Sequence, residues 1–172
     1  MKDNTMQEYI KNVLTNKPAD WLNLTTHRLD IYNEALAKSQ FLEQFEALFA
    51  VNNAQTAALS ELPTAYDYIR LGHPLSCVLE WAIAKSNDLD PASVVSFSSH
   101  TIPILAVLRK NLLENKNTQI SYVGELPDAF DPEVLREVYG YKFDLNKIDS
   151  TTDVSSFDGS TVFVSQQESD FS

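Results

Sequence analysis

Val107-Leu108-Arg109-Lys110-Asn111-Leu112-Leu113-Glu114-Asn115-Lys116-Asn117-Thr118-Gln119-Ile120-Ser121-Tyr122 is the stretch in which the hydrophobic rhythm of the chain changes. Before Asn115, apolar residues recur mostly every three to four positions, as in Tyr9, Ile10, Val13 and Leu14, and again in Leu75, Val78, Leu79, Ala82 and Ile83. After it, short runs alternate instead: Gln119 to Tyr122, Tyr141-Lys142-Phe143-Asp144-Leu145 and Thr161-Val162-Phe163-Val164-Ser165. The first rhythm buries one stripe of a helix, and the second buries one face of a strand. The sequence therefore predicts an α+β chain. A helical bundle over 1–114 is followed, over 115–172, by a small, mainly antiparallel sheet with one short helix.

Local signals place the helices. Thr5 and Glu8 stand at capping-box spacing ahead of the first stripe, which should stop at Asn16-Lys17-Pro18. Trp21, Leu22 and Leu24 read as a hydrophobic connection. A second helical stretch starts near Thr25 or Thr26 and runs through Phe41, Phe45 and Phe49 to Asn52-Asn53. Short helices are expected at 55–62 and 64–71, with Gly72 as a terminator. Pro74, Pro103 and Pro132 each suit the first turn of a further helix. Val94, Val95 and Phe97 fit either a helix start or a strand.

Composition bounds the function classes. The chain has 172 residues with a formal charge of −11 and a single cysteine, Cys77, which excludes an intramolecular disulfide. Nucleic-acid affinity comes largely from Lys and Arg neutralising phosphates, and the cations here are scattered among carboxylates. The same balance disfavours an anionic membrane surface. No apolar run is long enough to span a bilayer, and no secretory signal is read at the N-terminus, so a cytoplasmic location is expected.

No catalytic constellation stands out. His27, His73 and His100 share no ligand spacing with one another or with Cys77, so no metal is expected in this chain. Cys77 lies beside Val78 and Leu79 and reads as a buried thiol. Glu43 and Glu46 read as a solvated helix face, and four glycines leave no glycine-rich phosphate loop. The richest cluster is Tyr66, Tyr68, Arg70 and His73, just ahead of Pro74. It fits an anion or partner-carboxylate site; it equally fits packed tyrosines with Arg70 paired to Asp67 or Glu80.

Two resemblances bear on function. Val13-Leu14, Pro18, Arg28-Leu29-Asp30-Ile31-Tyr32-Asn33, Phe45 to Val51, Leu79-Glu80-Trp81-Ala82 and Thr161-Val162-Phe163-Val164 are similar to a helical family carrying a DNA-binding label. Its members are encoded beside iron-dependent TIM-barrel enzymes that modify peptides. The chain is closest there to the partner subunits of methanobactin biosynthesis (the MbnC group), although Phe49-Ala50-Val51 replaces the usual Phe-Pro-Val. This preferred resemblance implies a non-catalytic subunit with no cofactor of its own. It would dock on an iron enzyme and help bind a precursor peptide. Trp21, Tyr66, Tyr68 and Arg70 would meet the partner enzyme. Tyr141, Phe143, Leu145, Thr161, Val162 and Phe163 would receive the peptide as an added strand, and Val162→Pro is the substitution expected to block it.

In the second resemblance, Tyr68-Ile69-Arg70-Leu71-Gly72-His73-Pro74 with Leu79-Glu80 looks like the phosphate-contact segment of pyridoxal-phosphate enzymes of cysteine and methionine metabolism. Phe97-Ser98-Ser99 is similar to that family's Ser-Gly phosphate loop, with His100 in place of the glycine. It implies that Tyr68, Arg70 and Ser99 contact a cofactor phosphate. The chain stops short of the family's aspartate and cofactor-linking lysine, which implies a truncated or relic domain rather than an enzyme.

Overall fold

The computed structural model describes residues 2–22, 34–63, 73–150, 153 and 155–165. The chain divides into two compact units, 1–96 and 97–172. The change of hydrophobic rhythm falls at Asn115, but the helix just before it packs with the sheet, so the division by packing lies earlier.

The first unit holds α1 (Lys2–Asn16), a 3-10 turn (Ala19–Leu22), α2 (Glu34–Ala50), α3 (Thr56–Ser60), α4 (Pro74–Ser86) and a second 3-10 turn (Pro91–Ser93). α1 begins ahead of Thr5, so the capping-box pair lies inside the helix rather than at its start. The second helical stretch was expected from Thr25, and its opening lies outside the described residues, as does the helix expected at 64–71. α2 ends where Asn52 takes a positive φ of 51°. There the N–H groups of Asn52 and Asn53 return to the carbonyls of Phe49 and Leu48. His73 caps α4, its Nδ1 accepting from the Leu75 N–H at 3.2 Å, and Pro74 fills the first turn where no donor is needed.

Aromatic rings build this core. Tyr9, Trp21, Phe41, Phe45 and Trp81 are all buried, with Phe45 and Phe49 meeting Trp81 edge-on at 5.2 and 4.9 Å. Beside them lies a buried carboxylate. Glu80 accepts from the Ser96 N–H at 2.7 Å, from Ser96 Oγ at 2.9 Å and from Lys38, whose ammonium also donates to the Val94 carbonyl. The segment after α4 is thus tied to α2 and α4 by charge-assisted bonds. No strand forms at Val94 to Phe97.

Burial pushes the Tyr9 phenol up to about 12 from an ordinary 10.0, and its hydroxyl donates to the Asn53 carbonyl at 3.2 Å. The neutral form is therefore favoured in the fold. That contribution to stability is complete below the unfolded value and disappears as pH climbs from 10.0 towards about 12. An ultraviolet titration should show one tyrosinate appearing late, and Tyr9→Phe should remove it. A late component that survives in Tyr9→Phe would assign the shift to another ring.

The second unit holds α5 (Ile102–Leu113), β1 (Thr118–Tyr122), α6 (Pro132–Glu137), β2 (Phe143–Lys147) and β3 (Ser160–Val164). The strands form one sheet in the order β2-β1-β3, and both pairings are parallel. The antiparallel expectation is thereby corrected. A short turn can join only antiparallel neighbours, whereas β1 reaches β2 through α6, the crossover that a parallel pair needs. Asp131 starts that helix, its Oδ1 accepting from the Glu133 and Val134 N–H groups at 3.0 and 3.1 Å. The core of this unit is Ile104 and Leu108 of α5, Leu135 of α6, and Ile120, Phe130 and Phe143. Leu145, Val162 and Val164 pack against it, so both helices cover the same face of the sheet. Among the described residues, no helix is long and apolar enough to cross a membrane.

Candidate functional site

Parallel strands end on one border, and in open α/β sheets ligands bind there, where the strand order reverses direction. The chain leaves β1 for one side of the sheet and returns on the other, so this reversal lies between β1 and β3. α5 points at the same border. Asn111, in its last turn, donates to Thr118 Oγ1 at the start of β1 at 2.9 Å, and its body packs back along the sheet. The N-terminus of α5 therefore faces the carboxyl ends of the strands. Ser99 Oγ sits there, accepting from the N–H groups of Thr101 and Ile102 at 3.2 and 3.4 Å. Pro103 supplies no donor. Past the strand ends, Lys147 Nζ donates to Glu125 Oε1 at 2.7 Å and lies 6.0 Å from the Tyr122 ring centre. Donating to Glu125 raises the Lys147 ammonium above its ordinary range.

The sheet has two outer edges, and they differ. Ser160 donates to the Asn117 carbonyl and Val123 donates to the Val164 carbonyl, each at 3.0 Å. Backbone groups alternate sides along a strand, so Ser160, Val162 and Val164 face β1 while Thr161 and Phe163 face outward. On the other side Ile148 donates to the Tyr122 carbonyl, which turns Phe143, Leu145 and Lys147 outward on β2. That edge is partly closed. Arg136 Nη2 donates to the Phe143 carbonyl at 3.1 Å and its guanidinium lies over the Phe143 ring. Among the described residues, nothing bonds to the outward groups of Thr161 and Phe163.

Several sequence-based site expectations change here. Trp21 is only 2% exposed and packs 5.8 Å from Phe41, so it belongs to the core and cannot anchor a partner from the surface. The Trp21 N–H donates to the Pro18 carbonyl, and the 3-10 turn it closes carries the indole inward. Tyr66, Tyr68 and Arg70 lie outside the described residues, whereas His73 is a helix cap. Phe143 is buried, and Tyr141 and Leu145 pack on the same core, so these three side chains do not present themselves to a peptide. Val162 also points to the core. Thr161 and Phe163 are exposed on the opposite face. Cys77 is buried in its helix. Among the described residues, no three His, Cys, Asp or Glu side chains converge as a metal site.

The Glu80 network was not foreseen. The sequence offers Glu80 as a partner for Arg70 and as part of two family-like motifs, yet it falls on the buried stripe with Cys77, Trp81 and Ala84. A carboxylate at a core position was the available signal, since buried charges must be paired. No family model matches the chain, and neither a curated protein nor a solved structure is similar enough to match it.

Proposed function

We propose that the second unit is the phosphate-holding part of a pyridoxal-phosphate-type α/β domain. The observation that carries this reading is the all-parallel order β2-β1-β3 with the start of α5 at its carboxyl border. It favours the second resemblance because ligands of parallel α/β sheets collect at that border, and helix N-termini offer N–H donors to anions. The local residues fit one phosphate oxygen. Two amides, of Thr101 and Ile102, already converge on a single acceptor, Ser99 Oγ, whose place a phosphate oxygen would take. His100 stands where the family has glycine, and it is exposed, so its side chain need not block the approach. When bound, such a cofactor supplies electron withdrawal from an amino-acid substrate. This chain's part is to bind and orient its phosphate.

Titration of the full chain with pyridoxal phosphate should shift the amide resonances of Thr101 and Ile102. Inorganic phosphate should compete, and pyridoxal lacking the phosphate should leave those amides unmoved. Unchanged amides at saturating pyridoxal phosphate would refute the reading.

The partner-subunit reading, with an iron enzyme and a precursor peptide, is favoured by a different observation, the open edge of β3. Co-purification with its genetic neighbours tests it directly, because an iron-containing partner should then elute with the chain.

A further inference from the structure

We propose that the face of the sheet turned away from α5 and α6 binds a neutral saccharide ring, stacked on Phe163 and hydrogen-bonded to Ser121 and Gln119. None of these residues belongs to the Ser99 region, so the inference stands or falls independently of the phosphate reading.

Register builds this face. In β1, Thr118 meets Asn111 of α5 and Ile120 lies in the core, so Gln119 and Ser121 turn to the opposite side. Pairing sets Asp144 and Thr161 beside Gln119, and Asn146 and Phe163 beside Ser121. Neighbouring strands lie about 4.8 Å apart, so each trio forms a continuous row.

Two atoms in these rows are costly. Parallel sheets are ordinarily covered on both faces, whereas α5 and α6 lie on one, and on the other Asp144 and Thr161 are exposed. Yet Ser121, between them, is 0% exposed and its Oγ has no hydrogen-bond partner. Gln119 Oε1 is buried and unpartnered as well. A hydroxyl and an amide oxygen held in this way cost stability, which a ligand offering hydroxyls would offset. Serine is the shortest side chain of its row, so its hydroxyl forms the floor of a shallow dip between Asn146 and Phe163.

Area, charge and chemistry select the occupant. The two rows span a face roughly 10 Å wide and about 16 Å long, about a fifth of what one partner gives to a standard protein interface. A second copy of the chain would therefore find too little to hold, whereas a small ring is well matched. Asp144 is the only charge in the rows, so an anion is repelled and a neutral ligand is favoured. Sugar hydroxyls both donate and accept, as do Ser121, Thr161 and the carboxamides of Gln119 and Asn146. The C–H face of a pyranose is apolar and fits the ring of Phe163, which is 38% exposed.

The probe is methyl β-glucopyranoside, whose equatorial hydroxyls leave both ring faces apolar, titrated into the full chain and followed by NMR. The side-chain amides of Gln119 and Asn146 should shift, and Phe163→Ala should weaken binding at least about tenfold. If Phe163→Ala does not fold, Phe163→Leu takes its place, keeping apolar bulk while removing the ring. Glucose 6-phosphate should bind more weakly than the uncharged glucoside. Ser121→Ala separates recognition from packing. Removing an unpaired buried hydroxyl should slow amide exchange along β1 about fivefold or more, because the fold gains stability. The same variant should bind the glucoside at least about tenfold more weakly. A serine that only fills space would show the slower exchange without the lost affinity. Carboxamides unmoved at saturating glucoside, equal affinity in Ser121→Ala, or shifts from uridine with none from the glucoside would overturn the proposal.

Discussion

Replacement of Glu80 by alanine is expected to destabilise the first unit by about 3 kcal/mol, the lower end of the range for removing one member of a buried ion pair. The lower end applies because Lys38 keeps 29% of its side chain exposed, while only 7% of the Glu80 side chain is exposed. The alanine variant leaves the Ser96 N–H and hydroxyl without their acceptor and Lys38 without its carboxylate. Glu80→Gln keeps an acceptor for Ser96 and loses only the charge, so it should cost less. Both tryptophans, Trp21 and Trp81, belong to this unit, so their fluorescence during denaturant unfolding reports it selectively. An alanine variant within about 0.5 kcal/mol of the parent chain would mean that water replaces the carboxylate at little cost.

Much of the fold could be read from residue order because its causes are local. His73-Pro74 and Asp131-Pro132 announce helix starts through a cap and a proline. The alternation around Ile120 and Val162 announces strands. Strand direction has a different origin. It depends on the connection, and the signal was present: a helix at Asp131-Pro132 separates the runs at Ile120 and Phe143, which is the β-α-β pattern of a parallel pair. A strand's own alternation carries no direction, so the expected helix at Asp131-Pro132 matters as the crossover between the two runs and not only as one more element. The site was less legible. Whether Thr161 or Val162 turns its N–H outward depends on register with Asn117 and Val123, which no single strand encodes. Trp21 shows the converse difficulty, since a large apolar residue in a connection looks available until the turn around it is known.

Gly159→Ala should be the most damaging single change in the second unit. The glycine has φ +157°, and a Cβ there would lie 2.5 Å from the Asn117 carbonyl oxygen and 2.6 Å from the Phe157 ring. The ring can shift. The carbonyl cannot move freely, because it accepts the Ser160 N–H that opens the β1–β3 ladder. Backbone strain and overpacking each contribute about 1–3 kcal/mol, so a total near 3 kcal/mol or more is expected. The loss should be felt first at β3. Amide exchange at Val162 and Val164, which face β1, should accelerate well before exchange at β2, whose ladder to β1 is untouched. Pyridoxal phosphate shifts at Thr101 and Ile102 should persist in this variant as long as α5 and β1 remain folded. Slow exchange preserved at Val162 and Val164 in Gly159→Ala would show that the Asn117 carbonyl yields after all, and that the glycine does not hold β3 in place.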